Sequence, residues 1–453
     1  MLTWRRENEE LESMNSHPEL KQHIDATPLV DTHEHMSSET QWVESAQHSI
    51  LHDLFDNYVM ADFVSAGLRN FGEILHHEEM SLEEKWSQIA ETWQKIRFTG
   101  YGEAVSLAAR ELYGLEALDL DGLSAAQAQV DGNMTEGSRL RLLKDVANLD
   151  HIQTDDFCWK CLPDAAGPDF FFFDINWGGA CSGDPRAKML AEETGVVVTD
   201  LKSYRQAMEA IFEKYAGCAI AVKSQHAYGR TLEWHARDDS DVEPLLQRKL
   251  KGEDLDVNEA NCLGDWAWAQ VADLSGQHNL PFKIHTGYYA GNNSMHVDRI
   301  PSGHLCKLAI AYPNTRFVLM HIAYPYSDEL VAMTKHFSNV YADLCWAWSI
   351  NPLHSVDFVR RFIHAAPINK LFAFGGDCFR PTSSVGYALQ CRKWLGMALG
   401  GEVEDGLLTL EEAKEVATRL MHDNQYECFD IEGTRAHIHA QIAPHAEEAS
   451  VTV

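Results

Sequence analysis

The stretch LVDTHEHM (residues 29–36) has the pattern of a buried strand that ends in polar side chains. It begins with an apolar pair and ends with two histidines, His33 and His35, two residues apart. Side chains at this spacing in a β-strand point to the same face, so both imidazoles should converge on one point. A solvent-facing strand end would also fit the pair alone. A metal site is indicated if other strands supply further ligands.

Composition narrows the function classes. The 453 residues are 45% hydrophobic and 23% charged, which is ordinary for a globular protein. A formal charge of -31 argues against nucleic acid and anionic membrane as partners, because both need a basic face. No stretch approaches the roughly 20 apolar residues of a membrane span. Ten cysteines and an N-terminus unlike a signal peptide predict a reduced, cytoplasmic protein. A homo-oligomer stays open.

Eight short apolar runs recur along the chain, with segments of helical periodicity between most of them. The predicted strands are 29–35, 145–154, 169–176, 218–225, 281–287, 316–323, 340–346 and 371–377. From the fourth run onward, each is apolar at its start and polar at its end. Strands that alternate with helices in this way predict an α/β fold, a (β/α)8 TIM-type barrel with its site at the carboxyl ends of the strands.

One elaborated domain is predicted for residues 1–433. The interval 37–144 is too long for a barrel loop and has its own helical patterns, so we expect a helical insertion after the first strand. A smaller insertion is predicted for 227–280. Residues 434–453 are predicted to form a loosely ordered tail.

Polar residues at the predicted strand ends indicate a single site. They are His33 and His35 (first strand), Lys223 (fourth), His285 (fifth), His321 (sixth) and Asp377 (eighth). In a barrel these ends surround one mouth. Several imidazoles and a carboxylate suit Zn²⁺ or another divalent ion that keeps a position for water. Such an ion lowers the pKa of its water to about 7, and Asp377 could act as the general base.

These residues resemble the amidohydrolase superfamily in its second large branch. The resemblance is carried by DTHEH (31–35), the histidines that close strands five and six, and GGD (375–377). A closer resemblance is to amidohydrolase domains related to nodulins, which are sometimes fused to glutamine synthetase. It is carried by KSQHAYGR (223–230), FKIHTGYY (282–289), VLMHIAYPY (318–326) and NVYADLCW (339–346). The match runs from about residue 29 to 426 and is weakest in the helical insertion.

The resemblance implies a set of site residues. His33, His35 and Asp377 match the most constant metal-ligand positions, and His285 matches a usual fourth ligand. His321 would be a ligand of a second metal or an acid–base residue, so the catalytic candidates are Asp377, His321 and His285. The ion would be a divalent metal, with Zn²⁺ favoured and Mn²⁺ or another ion left open.

A second group is predicted to bind the substrate. Lys223 matches the position of a carboxylated, metal-bridging lysine in some members of the superfamily. Alternatively, Lys223, Tyr228 and Arg230 form an anion clamp, in which the guanidinium holds a carboxylate through two parallel hydrogen bonds. The competing interpretation pairs Arg230 with Glu233 in a surface salt bridge. Tyr324 would line the pocket.

The leading hypothesis is a metal-dependent hydrolase that cleaves an amide, lactone or related bond in a small carboxylated molecule. Barrels that resemble this one also include decarboxylases and uronate isomerases, which use the same kind of metal site. A non-catalytic barrel that serves as a binding module is a further alternative, although such barrels usually lose a ligand. The chain has no glycine-rich nucleotide motif after a strand, which argues against a nucleotide enzyme.

Overall fold

A computed structural model describes residues 17–44 and 49–450, with side chains described as far as residue 442. Its strands are β1 Leu29–Glu34, β2 Leu149–Thr154, β3 Phe171–Asn176, β4 Ala219–Ser224, β5 Phe282–Ile284, β6 Phe317–Leu319, β7 Val340–Asp343 and β8 Leu371–Phe372. They form one sheet in chain order, and the pairs from β3 to β7 are parallel. The predicted (β/α)8 barrel is confirmed.

All eight predicted strands are present, and most of them are shorter than predicted. Residues 142–146 form a π-helix, so β2 begins at Leu149 rather than at residue 145. Strands β5, β6 and β8 have only three, three and two residues. The polar residues that follow each of these strands are not part of the sheet.

Helices fill the intervals between the strands. They are α1 Pro18–Ala26, α2 Glu39–Glu44, α3 Ile50–Phe55, α4 Val59–Ser65, α5 Phe71–Leu75, α6 Leu82–Ile96, α7 Gly100–Tyr113, α8 Leu120–Asn133, α9 Ser138–Arg141, α10 Gly178–Cys181, α11 Ala187–Thr194, α12 Leu201–Tyr215, α13 Asp239–Leu250, α14 Val257–Gln277, α15 Cys306–Ala311, α16 Ser327–His336, α17 Ala347–Ile350, α18 Pro352–Ala365, α19 Pro381–Glu404, α20 Leu410–Thr418, α21 Asn424–Cys428 and α22 Ile431–Ser450. Within the described ranges, no helix is long and apolar enough to cross a membrane.

The contacts of the chain define two compact units. Unit 1 comprises residues 1–152, 289–295 and 344–425. Unit 2 comprises residues 153–288, 296–343 and 426–453. The first contains the start of the barrel, the helical insertion and the last strand, whereas the second contains β3 to β7.

In unit 1, backbone hydrogen bonds join β1 to the segment after β8. The Thr32 amide donates to the Phe374 carbonyl at 3.0 Å, and the His35 amide donates to the Cys378 carbonyl at 3.0 Å. These bonds close the barrel between its first and last strands.

The helical insertion predicted after β1 is confirmed as helices α2 to α9. Its core includes four aromatic side chains, in which Phe63 stacks on Phe71 at 3.9 Å and Phe55 contacts both Phe63 and Trp93. All four are buried. The start of α6 carries a capping box at Ser81, whose hydroxyl accepts the Glu84 amide. Apolar packing and local capping therefore specify this insertion within unit 1.

Unit 2 has a buried polar layer inside its strands. The Lys283 ammonium group lies 2.8 Å from an Asp174 carboxylate oxygen and donates to Gln153 at 2.9 Å. The Lys283 and Asp174 side chains have no solvent exposure. An ion pair in this position needs its partners within bonding distance, because removing one would leave an uncompensated buried charge.

The end of the chain differs from the prediction of a loosely ordered tail. Helix α22 spans Ile431–Ser450, and its first half packs on β4 within unit 2. Ile438 is buried, and the Thr434 hydroxyl donates to the Ala219 carbonyl at 3.4 Å. The sequence of this segment has no strong amphipathic pattern, so its order depends on tertiary contacts rather than on local propensity.

Replacement of Arg392 should destabilise unit 1. This buried guanidinium on α19 donates to four carbonyl groups, those of Ile24, Thr27, Ala147 and Asn148. Arg392→Met would leave these acceptors without their charged donor, and we expect a loss of about 3 kcal/mol or more in the free energy of unfolding.

The control for this prediction is Arg361→Met. Arg361 is half-exposed and pairs with Asp357 on its own helix, so its replacement should cost less than about 1 kcal/mol. Urea denaturation followed by circular dichroism measures both variants. Equal stabilities for the two variants would contradict the assigned role of Arg392.

Candidate active site

Three predicted metal ligands come together within unit 1. The His33 Nε2 atom lies 3.1 Å from the Asp377 Oδ1 atom, and the His35 Nε2 atom lies 3.4 Å from the same oxygen. The two imidazoles are perpendicular, with ring centroids 4.7 Å apart. All three side chains are at least nine-tenths buried. The spacing of two residues, with His33 in β1 and His35 directly after Glu34, its last residue, thus places both rings against Asp377 in the segment after β8.

The donor set fits a divalent cation. Two ligands of one tetrahedral Zn²⁺ at about 2.0–2.1 Å from the ion lie roughly 3.4 Å apart. The measured separations from Asp377 Oδ1 to the two imidazole nitrogens are close to this value. Two imidazoles and one carboxylate are the donors that borderline ions such as Zn²⁺ accept. His33, His35 and Asp377 could therefore hold one ion in unit 1.

Asp377 has an unusual backbone conformation. Its φ angle is +53°, in the left-handed region that non-glycine residues rarely adopt. The Asp377 amide donates to the His33 carbonyl at 2.9 Å, and this bond holds the residue against β1. Phe379 follows and stacks on the His35 ring, with centroids 5.3 Å apart. Strain of this kind persists only where surrounding contacts determine the conformation, and it is common at functional sites.

Two more carboxyl groups of the DTHEH stretch are buried beside these ligands. Burial raises the pKa of Asp31 well above its ordinary value, and the neighbouring Glu34 carboxylate raises it further. Burial also raises the pKa of Glu34 to about 7, whereas hydrogen bonds from Asp31 and Cys378 lower it. The two buried carboxyl groups therefore interact with each other beside the predicted ligands.

In unit 2, the two predicted catalytic histidines contact each other. The His321 Nε2 atom lies 2.9 Å from the His285 Nδ1 atom, and the His285 Nε2 atom lies 2.9 Å from the Tyr288 carbonyl oxygen. A carbonyl only accepts, so His285 carries its proton on Nε2 and His321 donates to Nδ1. Both ring nitrogens of His285 are engaged here. The prediction that His285 binds the metal stays a prediction, and one of these hydrogen bonds would have to break.

His321 lies in a strained segment. His321, Ile322 and Ala323 all have positive φ angles, of 60°, 46° and 50°. Three consecutive non-glycine residues in this region carry a cost of about 1–3 kcal/mol each. The segment directs the His321 ring toward His285 immediately after β6.

Arg230 does not have the environment that the anion-clamp hypothesis requires. Its NH2 group lies 2.6 Å from an Asp265 oxygen and also donates to the Glu233 carbonyl. The remaining donors bind backbone carbonyls, with Nε on Thr231 and NH1 on Cys181 and Asn261. An arginine has five N–H donors, and these five contacts use all of them. Arg230 therefore has no N–H donor left to bind a substrate carboxylate, and this prediction was wrong.

The alternative prediction, a salt bridge between Arg230 and Glu233, was also wrong. The sequence suggested a surface salt bridge with the Glu233 side chain, but Arg230 is 4% exposed and contacts only the Glu233 backbone. Its charge partner is Asp265 of α14, which is 1% exposed and also binds Arg237. Arg230 thus anchors the loop after β4 to α14.

The other predicted substrate-binding residues lie at or after strand ends of unit 2. Lys223 is buried on β4, in register with Asn176 of β3. The Tyr228 ring lies 4.7 Å from the His285 ring and is 38% exposed. Tyr324 contacts the Tyr288 ring, with centroids 6.4 Å apart. These positions leave the assignment of Lys223, Tyr228 and Tyr324 to the substrate as a prediction.

Sequence reasoning missed Asp155. This buried residue follows β2, and both carboxylate oxygens accept from the Asn176 side-chain amide at 2.9 and 2.8 Å. The Phe157 amide donates to the same carboxylate at 2.8 Å. The signal was present, since Asp155 is a carboxylate that directly follows a strand, β2. It was overlooked because β2 has the weakest strand pattern.

Loss of either histidine of β1 should remove the metal. In His33→Ala or His35→Ala, one of the two imidazole donors of unit 1 is absent, so the purified protein should contain much less metal while its circular dichroism spectrum is retained. His336→Ala, at an exposed position on α16, is the control. Elemental analysis decides the matter, and full occupancy in both β1 variants would overturn the assignment.

Arg230→Lys should reduce stability rather than substrate binding. Lysine keeps the charge but cannot reproduce the contacts with Asp265 and four backbone carbonyls, so we expect a loss of about 3 kcal/mol in the free energy of unfolding and an unchanged KM. Arg237→Lys removes the more exposed partner of the same aspartate and should cost less. A raised KM with unchanged stability in Arg230→Lys would restore the clamp hypothesis.

A family model and a known protein match parts of this sequence. A family model described as Amidohydrolase matches residues 254–424. Protein fluG of Emericella nidulans is 26% identical over 226 residues, which are 47% of this chain and 26% of that protein. The match thus spans only about a quarter of this relative's length.

Solved structures share the barrel across nearly its whole length. A uronate isomerase from Thermotoga maritima has a TM-score of 0.76 at 16% identity and covers 91% of this chain and 96% of its own. A glucuronate isomerase from Caulobacter crescentus has a TM-score of 0.71 at 17% identity, with 92% and 94% covered. A protein from Lactobacillus casei with the provisional name of metal-dependent hydrolase has a TM-score of 0.62 at 14% identity, with 92% and 98% covered.

At such low identity the solved structures show only that the fold is shared. The family model shows a similarity of sequence over residues 254–424. The nodulin-related subgroup stays a prediction. The chain is thus similar in sequence to the Amidohydrolase family over residues 254–424 and shares its barrel fold with the solved structures.

Proposed function

We propose that this protein is a metal-dependent hydrolase that cleaves an amide, lactone or related bond in a small carboxylated molecule. The observation that carries the proposal is the convergence of His33 and His35 on one oxygen of Asp377. The match of residues 254–424 to the Amidohydrolase family model also supports the proposal.

Each residue of unit 1 has a distinct task in this proposal. The imidazoles of His33 and His35 are neutral donors, and Asp377 supplies the negative charge. A divalent ion bound there would supply Lewis acidity and lower the pKa of water. Asp377 Oδ1 lies toward both histidines, and a carboxylate at this position could take a proton from the water and return it to a leaving group.

The histidine pair of unit 2 is suited to proton transfer. Because the Nε2 proton of His321 is donated to His285, the basic nitrogen of a neutral His321 is Nδ1. A proton taken up there would be stabilised by the chain of hydrogen bonds that ends on the Tyr288 carbonyl. We assign His321 as the second acid–base residue, supported by His285.

We assign the binding of the substrate carboxylate to Lys223 and Tyr228. Lys223 is the buried cation of β4, and Tyr228 follows it in the chain and lies against His285. An ammonium group can attract a carboxylate as a point charge without the bidentate geometry of arginine. This assignment replaces the clamp at Arg230.

A uronate isomerase is the second candidate. It is favoured by the similarity of the whole barrel to two isomerases of sugar acids, with more than nine-tenths of each chain covered. Such an enzyme would move protons between neighbouring carbons of a uronate and would use the same donors for the substrate oxygens. The substrate would again carry a carboxylate.

Mass spectrometry of turnover separates these functions. The metal-loaded protein is incubated with a panel of N-acyl amino acids, lactones of sugar acids and free uronates. Hydrolysis adds one water to the substrate, isomerisation leaves the mass unchanged, and decarboxylation removes CO₂. Isomerisation of uronates without any hydrolysis would replace our leading proposal by the second candidate.

Asp377→Asn should keep part of the metal but lose nearly all turnover. Asparagine retains an oxygen donor but cannot take up a proton at neutral pH, and general acid–base transfer contributes about 10²–10⁴-fold to a rate. The kcat is measured with whichever substrate the panel yields. Asp405→Asn, at an exposed position after α19, is the control. A kcat near that of the wild type would exclude Asp377 as the base.

A further inference from the structure

The segment that carries Asp377 is bound to β1 through three consecutive backbone amides. The Asp377 amide donates to the His33 carbonyl at 2.9 Å. The amides on either side donate to side chains, Gly376 to Asp31 Oδ1 at 3.3 Å and Cys378 to Glu34 Oε2 at 2.6 Å. The residues before and after the predicted ligand are therefore both held by carboxyl groups of the DTHEH stretch.

The contact with Glu34 is too close for any side chain at position 376. A Cβ atom built on Gly376 would lie 2.1 Å from Glu34 Oε1, well inside van der Waals contact. The other two nearest atoms also belong to the Glu34 carboxyl group. Glycine at 376 thus lets the backbone of the loop approach the Glu34 carboxyl group.

Asp31 also connects β1 to itself, because its Oδ1 atom accepts the His33 amide at 3.1 Å. The Asp31 and Glu34 carboxyl groups have no solvent exposure. Glu34 lies between the two histidines in the sequence, but its contacts are with the loop that carries Asp377.

We propose that Asp31 and Glu34 are positioning residues, which hold Asp377 at the distance from His33 and His35 that a metal ion requires. The inference rests on the proposed function, because it assigns a purpose to the geometry of that metal site. Neither residue is a ligand in this proposal. They act through the amides of Gly376 and Cys378, which fix the left-handed conformation of Asp377.

The first experiment compares Glu34→Leu with Glu34→Gln. Leucine removes the acceptor for the Cys378 amide, so metal affinity should fall by about 10–100-fold, the usual effect of losing an outer partner of a ligand. Glutamine keeps an acceptor oxygen for that amide and can donate to Asp31, so it should retain most of the affinity. Titration of the metal-free proteins with Zn²⁺ and the visible absorption spectrum of the Co²⁺ forms measure the effect.

Glu402→Leu is the control for a loss of a buried carboxyl group. Glu402 is 1% exposed and pairs with Arg360 and His364 near the end of α19. Its replacement should lower thermal stability and leave the Co²⁺ spectrum unchanged. Equal changes in metal affinity for Glu34→Leu and Glu402→Leu would overturn the proposal, because they would show a general loss of structure.

A second variant tests the same contact without removing the carboxyl group. Gly376→Ala places a methyl group against Glu34 Oε1 and should weaken metal binding as Glu34→Leu does. In a Glu34→Ala background the obstructing carboxyl group is absent, so Gly376→Ala should then have little further effect. Simple additivity of the two losses in this cycle would contradict a shared contact. The cycle remains decisive if Glu34→Leu fails to fold.

Hydrogen exchange separates this inference from the proposed function. In the metal-free wild type, the Cys378 amide should exchange slowly, and Glu34→Leu should accelerate its exchange while Glu34→Gln should not. Fast exchange in the wild type would overturn the positioning role. If the exchange follows the prediction but the wild type binds no divalent ion, the proposed function fails while the contact itself stands.

Discussion

The attachment of residues 376–378 to β1 is the constraint on which the candidate site depends. Strand β1 supplies two histidines by its period of two, but the third donor comes from the other end of the barrel, more than 300 residues along the chain. Backbone bonds between β1 and the segment after β8 close the barrel, and the neighbouring carboxyl groups fix Asp377. The contacts that close the barrel in unit 1 therefore also bring the three donors of the site together.

In unit 2, the hydrogen-bond partners of Arg230 give this residue a structural role. Lys223 and Arg230 are only seven residues apart and looked equivalent as anion-binding groups. All five N–H donors of Arg230 bind Asp265 or backbone carbonyls. Lys223 is buried on β4, and Tyr228, which contacts His285, follows this strand. A buried guanidinium with five partners would have to sacrifice several charge-assisted bonds to bind a ligand, at about 1.5–3 kcal/mol each.

The sequence predicts those features that depend on local periodicity. Short apolar runs located all eight strands, and the polar strand ends identified His33, His35 and Asp377 as a group. It could not reveal that Arg230 binds Asp265, because that pairing depends on how α14 packs against the loop after β4. Asp155 was missed for a related reason: its strand is preceded by a π-helix that blurs the pattern. The order in the first half of α22 arises from contacts with unit 2, which no local signal encodes.

The most direct test of the account is a crystal structure of the metal-loaded protein with anomalous diffraction at the absorption edge of the bound ion. The account predicts an anomalous peak within about 2.0–2.2 Å of His33 Nε2, His35 Nε2 and a carboxylate oxygen of Asp377, the usual distances for Zn²⁺ ligands. A metal-saturated crystal in which the peak lies elsewhere, with these three side chains bonded only to one another, would contradict it.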